Sequence, residues 1–158
     1  MLNKPEMRNK KKLVTDRAWM DEVLRDGRMV CIALASLEGD PYALPIGYGY
    51  ENGVIYVHGA TKGLKNEMIA ANPRVSFNVT LDAEVIRDAV GENFSSKYRS
   101  VTGFGDMEEI TDLTEKNRAL SILMRHYDGP HEDIDETRSK AVWVAKLVIS
   151  EMTGKASG

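Results

Sequence analysis

The pair Asn52-Gly53, which stands between two strand-like segments, restricts the fold of this 158-residue chain more than any other feature. Both residues tolerate a positive φ, which a two-residue turn between antiparallel strands requires. The segments on either side, residues 42–50 and 54–60, are rich in apolar and aromatic side chains. The pair therefore predicts a β-hairpin and antiparallel strand pairing.

Further strand patterns follow one another with short spacers. Residues 74–81 alternate strictly between apolar and polar side chains, as a half-buried strand does. The other predicted strands cover residues 30–37, 97–110 and 141–152. Helices are predicted at residues 15–25, 62–71 and 112–127, with N-caps at Thr15, Thr61 and Asp112. This order predicts a mainly β (α+β) fold, an antiparallel barrel with flanking helices, in one domain over residues 1–158.

The connecting segments are predicted to lack regular structure. Residues 82–96 are expected to be irregular or mobile, and residues 128–140 to form a loop. The termini, residues 1–12 and 154–158, are expected to be loose tails. The basic cluster within residues 8–12 is predicted to be solvated rather than a binding arm.

The composition restricts the classes of binding partner that we expect. The formal charge of −3 gives no reason to expect a nucleic acid or an anionic membrane. No apolar stretch approaches the ~20 residues of a membrane span, and the start of the chain does not have a signal-peptide pattern. The single cysteine, Cys31, is expected to be a buried, inert thiol in a reducing cytoplasm.

The glycine-rich strand at residues 44–50 is the first candidate for a binding surface. Gly47 and Gly49 remove side chains from one face, and Pro45 removes a ladder donor. A flat aromatic ligand could lie against such bare backbone. A plain bend of the barrel explains the same residues equally well, and the sequence leaves both interpretations open.

The start of the second predicted helix is the second candidate. Lys62 and Lys65 stand in its first turn, where cations are unfavourable for the helix dipole unless an anion is present. A bound phosphate would explain them, and two solvated lysines are the alternative. His58 ends the strand before this helix, and a structural histidine is the alternative to a functional one.

A third candidate lies on the strand at residues 97–105. Arg99 could offer paired donors to a phosphate or a carbonyl, and a solvated arginine is the alternative. The three histidines lack metal-site spacing, so no metal is predicted. No nucleophile or acid–base constellation is apparent. The pattern suits a cofactor that brings its own reactivity.

Taken together, these segments resemble the pyridoxamine 5′-phosphate oxidase-related superfamily of FMN-binding split barrels, and most of all its 5-nitroimidazole reductase branch. The likeness runs from about residue 7 to residue 155. The matching motifs are Ala43-Leu44-Pro45-Ile46-Gly47-Tyr48-Gly49-Tyr50, Ile55-Tyr56-Val57-His58-Gly59-Ala60 with Gly63 and Lys65, Asn72-Pro73-Arg74-Val75, Tyr98-Arg99-Ser100-Val101 with Gly103-Phe104-Gly105, Leu123-Met124-Arg125-His126-Tyr127, and Met152-Thr153-Gly154-Lys155.

The resemblance implies a six-stranded split barrel that forms a homodimer with FMN at the subunit interface. By analogy, the flavin ring would be lined by Pro45, Ile46, Gly47 and Tyr48. The residues near it would be His58, Gly59 and Ala60. The phosphate would be held by Lys62 and Lys65, and the site completed by Tyr98, Arg99, Ser100 and Val101.

The resemblance also implies an FMN-dependent oxidoreductase. NAD(P)H or another donor would reduce the flavin, which would pass a hydride to a small acceptor such as a nitroimidazole, with His58 as the catalytic residue beside it. Relatives often carry a cysteine before the Tyr98 motif, where this chain has Asn93-Phe94-Ser95-Ser96. It also lacks the arginine- and tryptophan-bearing tail of true pyridoxamine 5′-phosphate oxidases, so that activity is not expected. The alternatives are a non-catalytic flavin protein, a haem-binding split barrel with His58 or His126 as iron ligand, and a purely structural dimer.

Overall fold

The computed structural model describes residues 7–130 and 134–158. Its strands are β1 (Leu13–Val14), β2 (Met29–Ala35), β3 (Pro41–Glu51), β4 (Val54–Gly59), β5 (Arg74–Ile86), β6 (Ser95–Glu109) and β7 (Trp143–Ser157). Its helices are α1 (Arg17–Asp26), α2 (Leu64–Ala71), α3 (Leu113–His126) and α4 (Glu136–Ala141).

The strands pair antiparallel in the order β1-β7-β4-β3-β2-β5-β6, and β7 is also hydrogen-bonded to β6. This arrangement confirms the predicted mainly β split barrel with flanking helices. The short strand β1, which pairs with the end of β7, is an addition to the six predicted strands. Asn52 (φ 51°) and Gly53 (φ 81°) form the predicted turn between β3 and β4.

The barrel core consists of alternate residues of the strands, sealed by two helices. Val30, Ile32 and Leu34 of β2 point inward, as do the alternating apolar residues of β5. Helix α1 ends at Gly27, next to the start of β2, and the residue after α2, Asn72, donates to Ala35 O at the end of β2. Helix α1 packs against β3, β5 and β6, whereas α2 packs against β2. Helix α3 packs outside the barrel, mainly against β3 and also against β4 and β7, where a second apolar cluster forms.

Two predicted helix caps are wrong, and one is confirmed. Helix α1 is capped by Asp16, whose carboxylate accepts from Trp19 N at 2.7 Å, instead of by Thr15. Helix α2 begins behind Gly63, without a side-chain cap, so Thr61 plays no capping role. Asp112 caps α3 as predicted.

The connecting segments contain more regular structure than predicted. Strands β5 and β6 continue past a bulge after Leu81, so only residues 87–94 connect them. Helix α4, capped by Asp135, forms within the predicted loop at residues 128–140. The predicted tail at residues 154–158 belongs largely to β7, where it pairs with β6 and β1. Pairing with distant strands orders the ends of β5 and β7, whereas α4 is a local helix that follows its Asp135 cap.

The amino-terminal tail is also shorter than predicted. Its residues 1–6, like His131, lie outside the described residues. Residues 10–12 form a 3-10 turn, and Lys12 Nζ donates to Ser157 Oγ at 2.7 Å. Within the part of the chain that the structure describes, no helix is long and apolar enough to cross a membrane.

Candidate functional site

The outer face of β2 and β3 carries Cys31 and Pro45, which lie opposite each other and are both exposed. The prediction that Cys31 is buried is therefore wrong. Its neighbours Val30 and Ile32 fill the core, and strand alternation turns Cys31 outward. Paired residues of adjacent strands project to the same side, so Asn78 and Thr102 continue this row across β5 and β6.

The bare backbone of Gly47 and Gly49 faces helix α3. A Cβ on Gly49 would stand 2.9 Å from Leu123 N, and one on Gly47 would stand 2.8 Å from the Tyr127 hydroxyl. The interpretation that these glycines offer bare backbone to a ligand is therefore wrong, because α3 and Tyr127 cover the face on which their side chains would stand. They permit close approach of a helix, which neither sequence interpretation foresaw.

Tyr48 points into the barrel. Its side chain is fully buried, and its hydroxyl donates to Leu24 O at 2.6 Å. This burial raises the pKa of Tyr48. The side chain cannot contact a ligand on the outer face, and Ile46, which also packs against the core, is only partly exposed.

Lys65 lies where β4 ends. Its ammonium is 3.4 Å from the centroid of the Trp143 ring and 3.7 Å from the position that a Cβ on Gly59 would take. The Nζ atom is buried and has no hydrogen-bond partner among the described residues. Burial lowers the pKa of Lys65, and the charge of Glu109 opposes this effect. Among the described residues, the Trp143 ring and the charge of Glu109 favour this ammonium, but no hydrogen bond does, so it would gain from an anionic ligand.

The other predicted residues of this group lie close to it in the chain. His58 is exposed on β4 and forms no side-chain hydrogen bond with the residues that the structure describes. Gly59 ends β4, and Ala60 and Lys62 are exposed between β4 and α2. The group therefore surrounds the end of β4 and the start of α2.

Arg99 belongs to a different group. Its guanidinium pairs with Asp82 at 2.7 Å, Glu22 at 3.1 Å and Asp26 at 3.5 Å. These carboxylates occupy its donors, so the guanidinium is ion-paired within the subunit rather than free for a phosphate. Val101 is fully buried in the core, Ser100 is buried, and Tyr98 is half-buried.

The two groups are far apart within one chain. Gly59 pairs with Trp143 at the start of β7, whereas Arg99 pairs with Ala156 near its end. The strand between them spans roughly 40 Å at ~3.3 Å per residue. The predicted site residues therefore do not form one cluster in a single subunit.

His126, which the sequence leaves open as an iron ligand, has a structural role in the fold. Its Nε2 lies 2.6 Å from Gly27 O, and its ring lies 4.8 Å from the Tyr48 ring. Next to it, Tyr127 accepts from Tyr48 N at 2.9 Å and donates to Arg28 O. The two residues join the end of α3 to the barrel, which leaves His126 poorly placed to bind iron.

The environment of His126 predicts a pH-dependent stability. Burial lowers the pKa of His126, and the hydrogen bond to Gly27 only partly opposes this. The unfolded chain therefore binds the proton more tightly, and the free energy of unfolding should fall as the pH drops below about 6.5, by at most ~1.4 kcal/mol per pH unit. Denaturant titrations between pH 8 and pH 5 measure this slope, and His126→Asn should flatten it. An equal slope in the variant would contradict the assignment.

A cavity of about 590 Å³ lies beside His58, between α3 and α4. The part of its lining near α4, which includes Ile134, Asp135 and Arg138, was not predicted as a site, because this polar segment has the pattern of a loop. The Asp135 cap was the one local signal that could have revealed the helix.

Comparisons with known proteins agree with this architecture. The sequence profile of the family described as pyridoxamine 5′-phosphate oxidase matches residues 16–156. No curated protein is significantly similar to the chain. A structure from Bacteroides thetaiotaomicron, provisionally assigned to 5-nitroimidazole antibiotic resistance, is 29% identical, with a TM-score of 0.80 over 90% of this chain and 85% of that one.

Two other solved structures are similar. The FAD and heme binding protein of Mycobacterium smegmatis is 25% identical, with a TM-score of 0.82 over 92% of this chain and 73% of that one. The flavocytochrome Anf3 of Azotobacter vinelandii is 20% identical, with a TM-score of 0.81 over 96% of this chain and 72% of that one. The latter likeness shows the fold alone.

Proposed function

The chain belongs to the pyridoxamine 5′-phosphate oxidase family, and on that premise we propose that it is an FMN-dependent oxidoreductase that reduces a small, electron-poor acceptor such as a nitroaromatic. The observation that carries this proposal is the buried ammonium of Lys65, which lacks a hydrogen-bond partner among the described residues. The likeness to the Bacteroides thetaiotaomicron protein supports the nitro acceptor.

The residues around Lys65 fit the phosphate of FMN. Helix α2 starts at Leu64 behind Gly63, which has no side chain to cap it, so its first turn can receive an anion. The contact with Trp143 is worth about 2 kcal/mol, which hydrogen bonds between the ammonium and a phosphate could offset, so a phosphate could draw the flexible Lys65 side chain off the ring. The exposed Lys62 adds a second cation. Lys62 and Lys65 would hold the phosphate.

The flavin ring would lie on the outer face near Pro45, with His58, Gly59 and Ala60 beside it. When bound, FMN supplies two-electron transfer between NAD(P)H and the acceptor. The side chains of this face would orient the ring and exclude water from it. His58, which has no hydrogen-bonding role in the fold among the described residues, is free to contact the acceptor.

Two equivalent subunits would complete each site. Roughly 40 Å of strand separate the start of β7, beside Lys65, from the partner of Arg99 near its end. The part of the 98–101 segment that could reach a ligand, the half-buried Tyr98 and the strand backbone, would therefore come from the second copy. The outer face of the barrel supports a homodimer, because two rows of residues, each paired across β3, β2, β5 and β6, contain no charged side chain. One row is Pro45, Cys31, Asn78 and Thr102, and the other is Ala43, Ala33, Ser76 and Phe104. Interface cores are depleted of charge in this way.

The dimer can be tested at Cys31. Cys31→Arg places a charge in the middle of this face, and because Cys31 is exposed, the variant should fold normally. We expect light scattering to give a dimer mass for the wild type and a monomer mass for the variant. Glu38→Arg, in the exposed turn before β3, is the matched control and should remain dimeric. A wild-type monomer, or a dimeric Cys31→Arg, would refute the proposed interface.

The function itself is tested by the spectrum of the purified protein and by FMN titration. We expect a flavin spectrum and oxidation of NAD(P)H that depends on an added nitroaromatic. Flavin without turnover would instead indicate a carrier or sensor. A Soret band on haem titration that is lost in His58→Ala would indicate a haem protein, and binding of neither cofactor would leave a structural dimer.

A further inference from the structure

The cavity beside His58 has the properties of a small-molecule site. Its volume of about 590 Å³ lies within the range of ~300–1,000 Å³ for ligand pockets. Leu120 and Met124, one turn apart on α3, form one wall, and Val142 lies just after α4. Pro130 and Ile134 complete the apolar part of the lining.

Four polar residues reach the same cavity, and two of them have little to bind within the fold. The Ser139 hydroxyl donates to Asp135 O, and the Asp135 carboxylate accepts from Thr137 N at 2.8 Å. Arg138 forms its one ion pair among the described residues with Asp135, at 4.0 Å, and its side chain is 89% exposed. His58 has no side-chain hydrogen bond to any described residue. Relative to the described residues, the Arg138 guanidinium and the His58 imidazole therefore retain donors for a ligand, and Asp135 and Ser139 are the other polar members of the lining.

We propose that this cavity binds the electron acceptor, and that it selects a small, flat, mainly apolar molecule carrying one carboxylate or nitro group. The apolar wall would take up the ring, and Arg138 and His58 would donate to the oxygen atoms of the substituent. This inference rests on the proposed function, because the acceptor has to meet the flavin beside His58. To the proposed function it adds where the acceptor binds and which chemical class of acceptor fits there.

The test measures binding separately from turnover. Calorimetric titrations with 4-nitrobenzoate and with neutral nitrobenzene are made on the protein with and without FMN. Leu120→Trp/Met124→Trp fills the cavity from one wall of α3. Its matched control is Leu37→Trp, at an exposed position in the turn before β3.

We expect the filled variant to bind both probes at least fivefold more weakly than the wild type, with unchanged FMN affinity. Arg138→Gln should weaken 4-nitrobenzoate about fivefold and nitrobenzene less than twofold. The control should match the wild type. Thermal melts identify a misfolded double variant, and Val142→Phe then provides the test from the opposite wall.

Three results would overturn the inference. The first is a filled cavity that leaves probe affinity within twofold of the wild type. The second is a wild-type protein that binds neither probe. The third is haem binding with a Soret band that the filling substitutions abolish. A protein that binds no FMN would refute the proposed function, while the titrations without FMN would still decide whether the cavity takes these ligands.

Discussion

Lys65→Ala is expected to weaken FMN binding by about 1–3 kcal/mol, roughly 5- to 150-fold, which is the scale of a lost hydrogen bond to a charged group. The ammonium is buried on the Trp143 ring without a hydrogen-bond partner among the described residues. Its removal costs the free protein the contact with the Trp143 ring, about 2 kcal/mol, so the loss that belongs to the cofactor is read as the FMN affinity of the folded variant. Titration followed by flavin fluorescence measures it.

The pH dependence gives an independent check. Because burial lowers the pKa of Lys65, FMN affinity should begin to fall at a lower alkaline pH than it would with an ordinary lysine. Lys116→Ala, a lysine of α3 outside the proposed site, is the control and should bind FMN like the wild type. Equal affinity of Lys65→Ala and the wild type would refute the phosphate assignment.

The fold could be predicted because its main signals are local. The Asn52-Gly53 turn and the alternation in β5 depend only on neighbouring residues, and both were confirmed. The errors in the strand ends lie where distant elements decide the structure. The end of β7 is ordered by β6 and β1, and the extension of β5 is ordered by its pairing with β6.

In the candidate site, too, local features could be predicted from sequence and contacts with distant elements could not. Cations in the first turn of a helix are visible in sequence, and the structure leaves Lys65 without a hydrogen-bond partner among the described residues. The environment of Arg99 was not predictable, because Glu22, Asp26 and Asp82 come from two other elements. The role of Gly49 depends on where α3 packs, which no local pattern encodes.

Gly49→Ala is expected to lower the free energy of unfolding by about 3 kcal/mol, at the upper end of the usual range for overpacking. The added methyl group would stand 2.9 Å from both N and Cα of Leu123 and 3.0 Å from the Ile122 carbonyl carbon. These are backbone atoms within a helix, so they cannot rotate away as a side chain could. Helix α3 would have to move off the sheet and loosen the apolar cluster around Tyr56 and Val144. Chemical denaturation measures the loss.

Gly91→Ala is the matched control, since no atom lies within 4 Å of its added methyl group and its φ is not positive. Its free energy of unfolding should stay within about 1 kcal/mol of the wild type. The comparison also separates the two roles proposed for the glycine-bearing strand. If Gly49 served a ligand instead of α3, Gly49→Ala would keep wild-type stability and lose FMN affinity. If Gly49 serves the packing of α3, the variant should instead be destabilised, and its folded fraction should still bind the cofactor. The reason is that the proposed phosphate site lies beyond the end of β4, away from the Gly49–Leu123 contact.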